Sequence, residues 1–116
     1  MAQALFAGLA GEAVEVLAFA YIGSDRGLLG LRHARSLSTA SMAVPIRDIA
    51  ADALAFDACA VIMAHNHPSG DPTPSTADRE ATRLLARALD TLEVRLLDHL
   101  IVAARGVTSF RTLGLL

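Results

Sequence analysis

A single cysteine, Cys59, stands in this chain of 116 residues, so neither a disulfide framework nor a zinc site built on cysteine pairs can form within it. Any metal has to be held by histidine and carboxylate. Long hydrophobic runs are missing too: the apolar stretches stop at seven residues, as in Val16 to Ile22, well short of the roughly 20 that span a bilayer. No membrane segment is expected. The first residues, MAQALFAGLAGEA, lack a basic cluster before their apolar part and offer no secretion signal, so the cytoplasm is the expected compartment. Lysine is absent, all ten basic residues being arginine, which reads as a compositional bias of the source genome. The net charge of −2 argues against a dedicated phosphate-backbone binder, which leaves nucleic acid weakly supported as a partner.

What is present is apolar mass. Hydrophobic residues make up 53% of the chain, and at this length one domain buries a real core without help from a metal. Residues 1–11 read as a leader or short helix, and 12–116 as one domain. Glu15 to Ile22 reads as a buried strand, the Gly23 to Gly27 segment as a turn, and residues 28–34 as the hairpin partner. Arg35 to Ala43 fits either loop or edge strand. Pro45 to Phe56 is a predicted helix with Ile46, Ile49, Ala50, Ala53 and Leu54 on one face. Cys59 to Ala64 is a continuous apolar run, hence a strand covered on both sides, and Cys59 itself is expected to be buried. Ser75 to Leu92 is the second predicted helix, with Leu84, Leu85, Ala88, Leu89 and Leu92 inward and Arg79, Arg83 and Arg87 outward. Val94 to Ala103 is a further strand, and Thr108 to Phe110 a short last one. This order predicts an α/β fold, a mixed sheet flanked by helices.

The chemistry concentrates in HNHPSGDPTPSTAD, His65 to Asp78. In an extended strand alternate side chains share a face, so His65 and His67 can aim at one point while Asn66 turns away. Three of the four prolines follow, with Gly70 and Asp71 among them, and force a compact loop. Ser75-x-x-Asp78 then opens a helix, and on its own it is also a capping box. Two histidines and a carboxylate leave a fourth tetrahedral position for water, the arrangement that separates a catalytic zinc site from a structural one. Zinc lowers the pKa of such a water to about 7. A general base is still needed. Glu15, a charge at the head of an apolar strand, is favoured over Glu12. Ser75 can donate to an oxyanion.

At these residues the sequence resembles a known family. The spacing H-x-H-x7-S-x-x-D is similar to the JAMM (JAB/MPN+) metalloprotease motif, and its wording resembles the RadC family in particular. Glu15 before its hydrophobic strand, Pro45-Ile46-Arg47, and LLDHLIV from Leu96 to Val102 extend the likeness over most of the chain. The resemblance implies a cytidine-deaminase-like three-layer α/β fold. It implies His65, His67 and Asp78 as zinc ligands, Glu15 as the acid/base, Ser75 as the oxyanion donor, and a peptide or protein as substrate. There are departures. The family's usual Pro-Arg-Glu reads Pro-Ile-Arg-Asp here, and the helix-hairpin-helix region usual ahead of the domain is not in this sequence. The family's DNA-repair label says nothing about chemistry, whereas the JAMM likeness implies amide or isopeptide hydrolysis.

Other residues carry two readings. His99 and Asp98 fit either groups that orient a ligand or a hydrogen-bonded core pair. Asp71 reads as a turn residue, His33 as exposed and inert, and the arginine stripe as a solvated helix face. Competing functions are a metal-binding interaction module without turnover and, less favoured, a metal-dependent nuclease. In such nucleases the letters H, N and H denote separated residues, and here they are adjacent. A zinc deaminase needs a P-C-x-x-C ligand pair that one cysteine cannot supply. The high apolar fraction is compatible with a homodimer.

Overall fold

A computed structural model describes residues 5–35 and 44–116. Apart from Arg35, the 35–43 stretch lies outside these residues. The elements run as β1 (Val16–Ile22), β2 (Leu28–Arg35), α1 (Ile46–Ala55), β3 (Ala60–Asn66), α2 (Thr76–Asp90), β4 (Arg95–Ala103) and β5 (Gly106–Ser109), preceded by a 3₁₀ turn at Ala7–Gly11. They form one five-stranded sheet in the order β2-β1-β3-β4-β5. β1 runs antiparallel to both β2 and β3, β3 runs parallel to β4, and β4 antiparallel to β5.

Local sequence explains each piece. The β1–β2 hairpin closes on Gly23–Gly27, where the Gly23 N–H donates to the Gly27 carbonyl and Arg26 takes a positive φ of 67°. Central β3 is apolar almost throughout because it is covered on both faces. A parallel β3–β4 pair requires a crossover, and α2 supplies it. One face of the sheet packs Leu17, Phe19, Tyr21, Val61 and Met63 against Ile49 and Ala53 of α1 and Leu85 and Leu89 of α2. The other face is built from smaller residues, Ala18, Ala20 and Ala64, with Leu100 and Val102, under Phe6 and Leu9 from the 3₁₀ turn. The result is the mixed, layered α/β fold that the sequence pattern predicts.

Three burial expectations need correcting. Leu84 is 56% exposed and Leu54 61%. Each lies one residue from a buried position, about 100° around its helix. The inward face of α2 is centred on Asp78, Thr82, Leu85 and Leu89, and turning the two polar residues inward carries Leu84 out. Cys59 is exposed, because it precedes the strand at the rim of the sheet, where its backbone bridges Ile22 and Arg95.

Candidate metal centre

The pleat of β3 delivers the site. His65, in register between Leu17 of β1 and Ile101 of β4, is fully buried. One residue past the end of the strand, the His67 N–H still reaches the Val102 carbonyl at 3.2 Å, which keeps the extended course and sets both imidazoles on one side. The loop that follows is moored rather than loose. Gly70 turns at φ 88° with its N–H on the His67 carbonyl. Asp71 Oδ1 accepts from the Thr73 N–H and hydroxyl, while Arg105 at the β4–β5 turn and Thr108 on β5 donate to the Gly70 and Pro72 carbonyls.

Ser75 caps α2 reciprocally with Asp78. The Asp78 N–H donates to Ser75 Oγ at 3.0 Å, and the Ser75 N–H donates to Asp78 Oδ2 at 2.8 Å. That fixes the carboxylate against the two imidazoles. His65 Nε2 and His67 Nε2 lie 3.0 Å apart, Asp78 Oδ1 is 3.2 Å from His65 Nε2, and Asp78 Oδ2 is 3.1 Å from His67 Nε2. Donor atoms about 2.0–2.1 Å from a tetrahedral ion stand about 3.3 Å from one another. The trio therefore has the separations of a ligand set, and it could hold a metal ion.

Hydrogen bonding on the far side of each ring says which nitrogens are free. A backbone carbonyl can only accept. The Asp71 carbonyl sits 2.8 Å from His67 Nδ1, so Nδ1 carries the proton of the neutral ring and Nε2 keeps its lone pair. For His65 the argument passes through two residues. The Thr82 hydroxyl donates to the Asp78 carbonyl at 2.6 Å and so accepts from His99 Nδ1 at 2.6 Å. His99 Nε2 then accepts from His65 Nδ1 at 2.6 Å, so that in a neutral His65 ring the lone pair is on Nε2. Two bare nitrogens 3.0 Å apart repel unless a cation sits between them, and a carboxylate completes the set. The ligand chemistry fits a divalent ion with an open position.

Burial pushes the Asp78 carboxyl up, whereas a positive charge on the His65 side and the Ser75 cap pull it well below the usual carboxylate range; a cation held between the imidazoles would act on Asp78 in the same sense. His99, enclosed and stacked on Phe110 with ring centres 4.4 Å apart, is held well below its ordinary value chiefly by burial. It stays neutral, as the hydrogen-bond chain requires.

Glu15 enters from the neighbouring strand. Because β1 is antiparallel to β3, the residues just before Val16 lie beside the end of β3, and Glu15 Oε1 comes within 3.9 Å of His65 Nε2. Glu12 reaches the area through its carbonyl, which accepts from Asn66 at 3.3 Å. Of the residues singled out from sequence, His65, His67, Asp78, Glu15 and Ser75 come together. His99 joins behind His65, whereas Asp98 turns to the Ser109 hydroxyl and the Arg111 N–H. Asp71 serves through its carbonyl and its turn, and His33 is exposed on β2. Thr82 and Asn66 escaped the sequence reading. Thr82, four residues after Asp78 on the same helix face, carried a usable signal.

A mixed sheet with a His-His-Asp set at the carboxyl end of its central strand is the arrangement of a JAB-type α/β domain. More narrowly, the chain belongs to the RadC-like JAB domain family, whose sequence profile matches residues 1–115. It is 42% identical over 108 residues to the UPF0758 protein YfjY of Escherichia coli (strain K12), covering 93% of this chain and 68% of that one. It is 57% identical over 72 residues to the UPF0758 protein Reut_A2732 of Cupriavidus pinatubonensis, covering 62% and 32% of the two. The UPF0758 protein Bpet3149 of Bordetella petrii is 44% identical over 108 residues, 93% of this chain and 48% of that protein. The chain thus spans between about a third and two thirds of the length of these relatives.

Proposed function

We propose that this domain is a zinc-dependent hydrolase of the JAMM type, cleaving amide or isopeptide bonds in a peptide or protein. The observation that carries this reading is the approach of His65 Nε2, His67 Nε2 and the Asp78 carboxylate oxygens to 3.0, 3.1 and 3.2 Å of one another, with the Glu15 carboxylate 3.9 Å from His65 Nε2. His65, His67 and Asp78 would hold the ion. When bound, it would polarise the scissile carbonyl and make water a competent nucleophile near neutral pH. The rest falls to the protein. Glu15 takes the proton of the attacking water and passes it to the leaving amine. Ser75 Oγ already accepts from the Asp78 N–H, so its own proton remains available for the oxyanion that forms as the carbonyl is attacked. Its two jobs are compatible.

The test joins metal analysis to a screen of peptides and isopeptide-linked substrates. Asp78→Ala should lose stoichiometric zinc; Glu15→Gln should keep zinc and lose about 10²–10⁴-fold in kcat. Zinc retained in the first variant, or full turnover in the second, would sink the corresponding assignment. A zinc-loaded protein that turns over nothing in the screen would favour an interaction module.

A further inference from the structure

Asn66 lies between the two histidines, but its side chain takes the opposite face of β3 and is 1% exposed. Among the described residues, its three side-chain hydrogen bonds all go to one short segment some fifty residues upstream. Oδ1 accepts from the Val16 N–H at 2.6 Å, and Nδ2 donates to the Val14 carbonyl at 2.8 Å and to the Glu12 carbonyl at 3.3 Å. Glu15 is the residue between Val14 and Val16. Its preceding and following neighbours are both fastened to the same amide, one through a carbonyl and one through an N–H, so the backbone on either side of Glu15 has little freedom to turn. By the alternation of β1, Glu15 shares the face of Leu17 and hence of His65, opposite to Val16 and Asn66.

We infer that Asn66 is a positioning residue, which clamps the Glu12–Val16 backbone from the far side of the sheet so that the Glu15 carboxylate stays beside the His65–His67–Asp78 cluster. One strand thereby sets both halves of the site: His65 faces the ion position directly, while Asn66, the next residue, places the acid/base group through the neighbouring strand. The inference rests on the reading of Glu15 as that acid/base group. Loss of the side-chain amide would free the segment while leaving all three candidate ligands in place, because the Asn66 side chain hydrogen-bonds to Val16, Val14 and Glu12 and to none of the three ligand side chains.

The probe is cobalt(II) alone, bound to protein carrying ¹³C-carboxyl glutamate, with the Glu15 signal assigned by its absence in Glu15→Gln. In the native chain the Glu15 carboxyl carbon should show a large paramagnetic shift, and the Val16 amide should exchange slowly for the first residue of a strand. In Asn66→Ala the cobalt stoichiometry and the shifted His67 ring signals should persist while the Glu15 shift collapses and the Val16 amide exchanges about tenfold faster or more. Should that variant fail to fold, Asn66→Asp, which keeps the acceptor for Val16 and loses both donors, should show a partial loss of the shift. An unchanged Glu15 shift in either variant, or a Val16 amide unprotected in the native chain, would overturn the inference. So would a loss of cobalt or of the His67 signals along with the Glu15 shift, since Asn66 would then support the whole scaffold and not Glu15 in particular. Full hydrolysis by Glu15→Gln would sink the acid/base reading without altering these signals.

Discussion

At the scale of single side chains, the centre is governed by which nitrogen of each imidazole carries its proton. A carbonyl decides it in both cases, Asp71 directly for His67 and Asp78 through Thr82 and His99 for His65. Thr82 touches none of the candidate donor atoms, yet the direction of the whole chain follows from its hydroxyl. Thr82→Val keeps the shape and removes the hydrogen bonds. Metal affinity should fall by about 10–100-fold, as measured by competition with a chelator, and native affinity in the variant would show that His65 is oriented by other means. The motif letters named the three candidate ligands and Ser75. They did not name Thr82, whose role exists only because α2 packs over β4 and brings Asp78 and His99 to the same hydroxyl.

At the scale of elements, α2 does two things with its first turn. The Ser75–Asp78 box satisfies helix N-terminal amides, and the same carboxylate faces the histidines. Ser75→Ala removes the hydroxyl but leaves the Ser75 N–H on Asp78 Oδ2. The metal-free protein should lose about 1 kcal/mol in urea unfolding, with metal stoichiometry unchanged. Loss of the metal would mean that the cap, and not the ligand geometry, holds Asp78 in place. Helix and strand positions were legible because apolar periodicity is a local property. Which of two adjacent residues faces inward was not, as Leu84 beside Leu85 and Leu54 beside Ala53 show: a stripe on a helix is wide, and in α2 its centre is set by Asp78 and Thr82, which the tertiary structure turns inward.

At the scale of the molecule, the edge of the sheet is tied to α1 by a polar cluster. Arg32 on β2 makes a bidentate pair with Asp52 on α1, which also accepts from the Tyr21 hydroxyl on β1 at 2.8 Å. The Arg32 hydrogen bond, against the cost of burial and with help from Tyr21, holds the Asp52 carboxyl below its ordinary range. A carboxyl depressed in the folded state contributes its stability in full above the unfolded value of about 4 and loses it as pH falls through the folded value. Asp52→Asn should therefore lower the melting temperature at neutral pH and flatten its decline below about pH 4. An acid limb as steep as the native one would place that dependence elsewhere.

By itself the sequence determined the α/β class, the turn chemistry of the Pro/Gly loop, and the set of residues able to ligate a metal, because spacing along one strand and one helix start is local geometry. Only the tertiary structure decided that Glu15, and not Glu12, brings its carboxylate to His65. The antiparallel pairing of β1 with β3 sets the beginning of one strand beside the end of the other, and Asn66 fastens the backbone on both sides of that glutamate. Contacts between residues some fifty positions apart depend on strand order and register, and no local pattern encodes either.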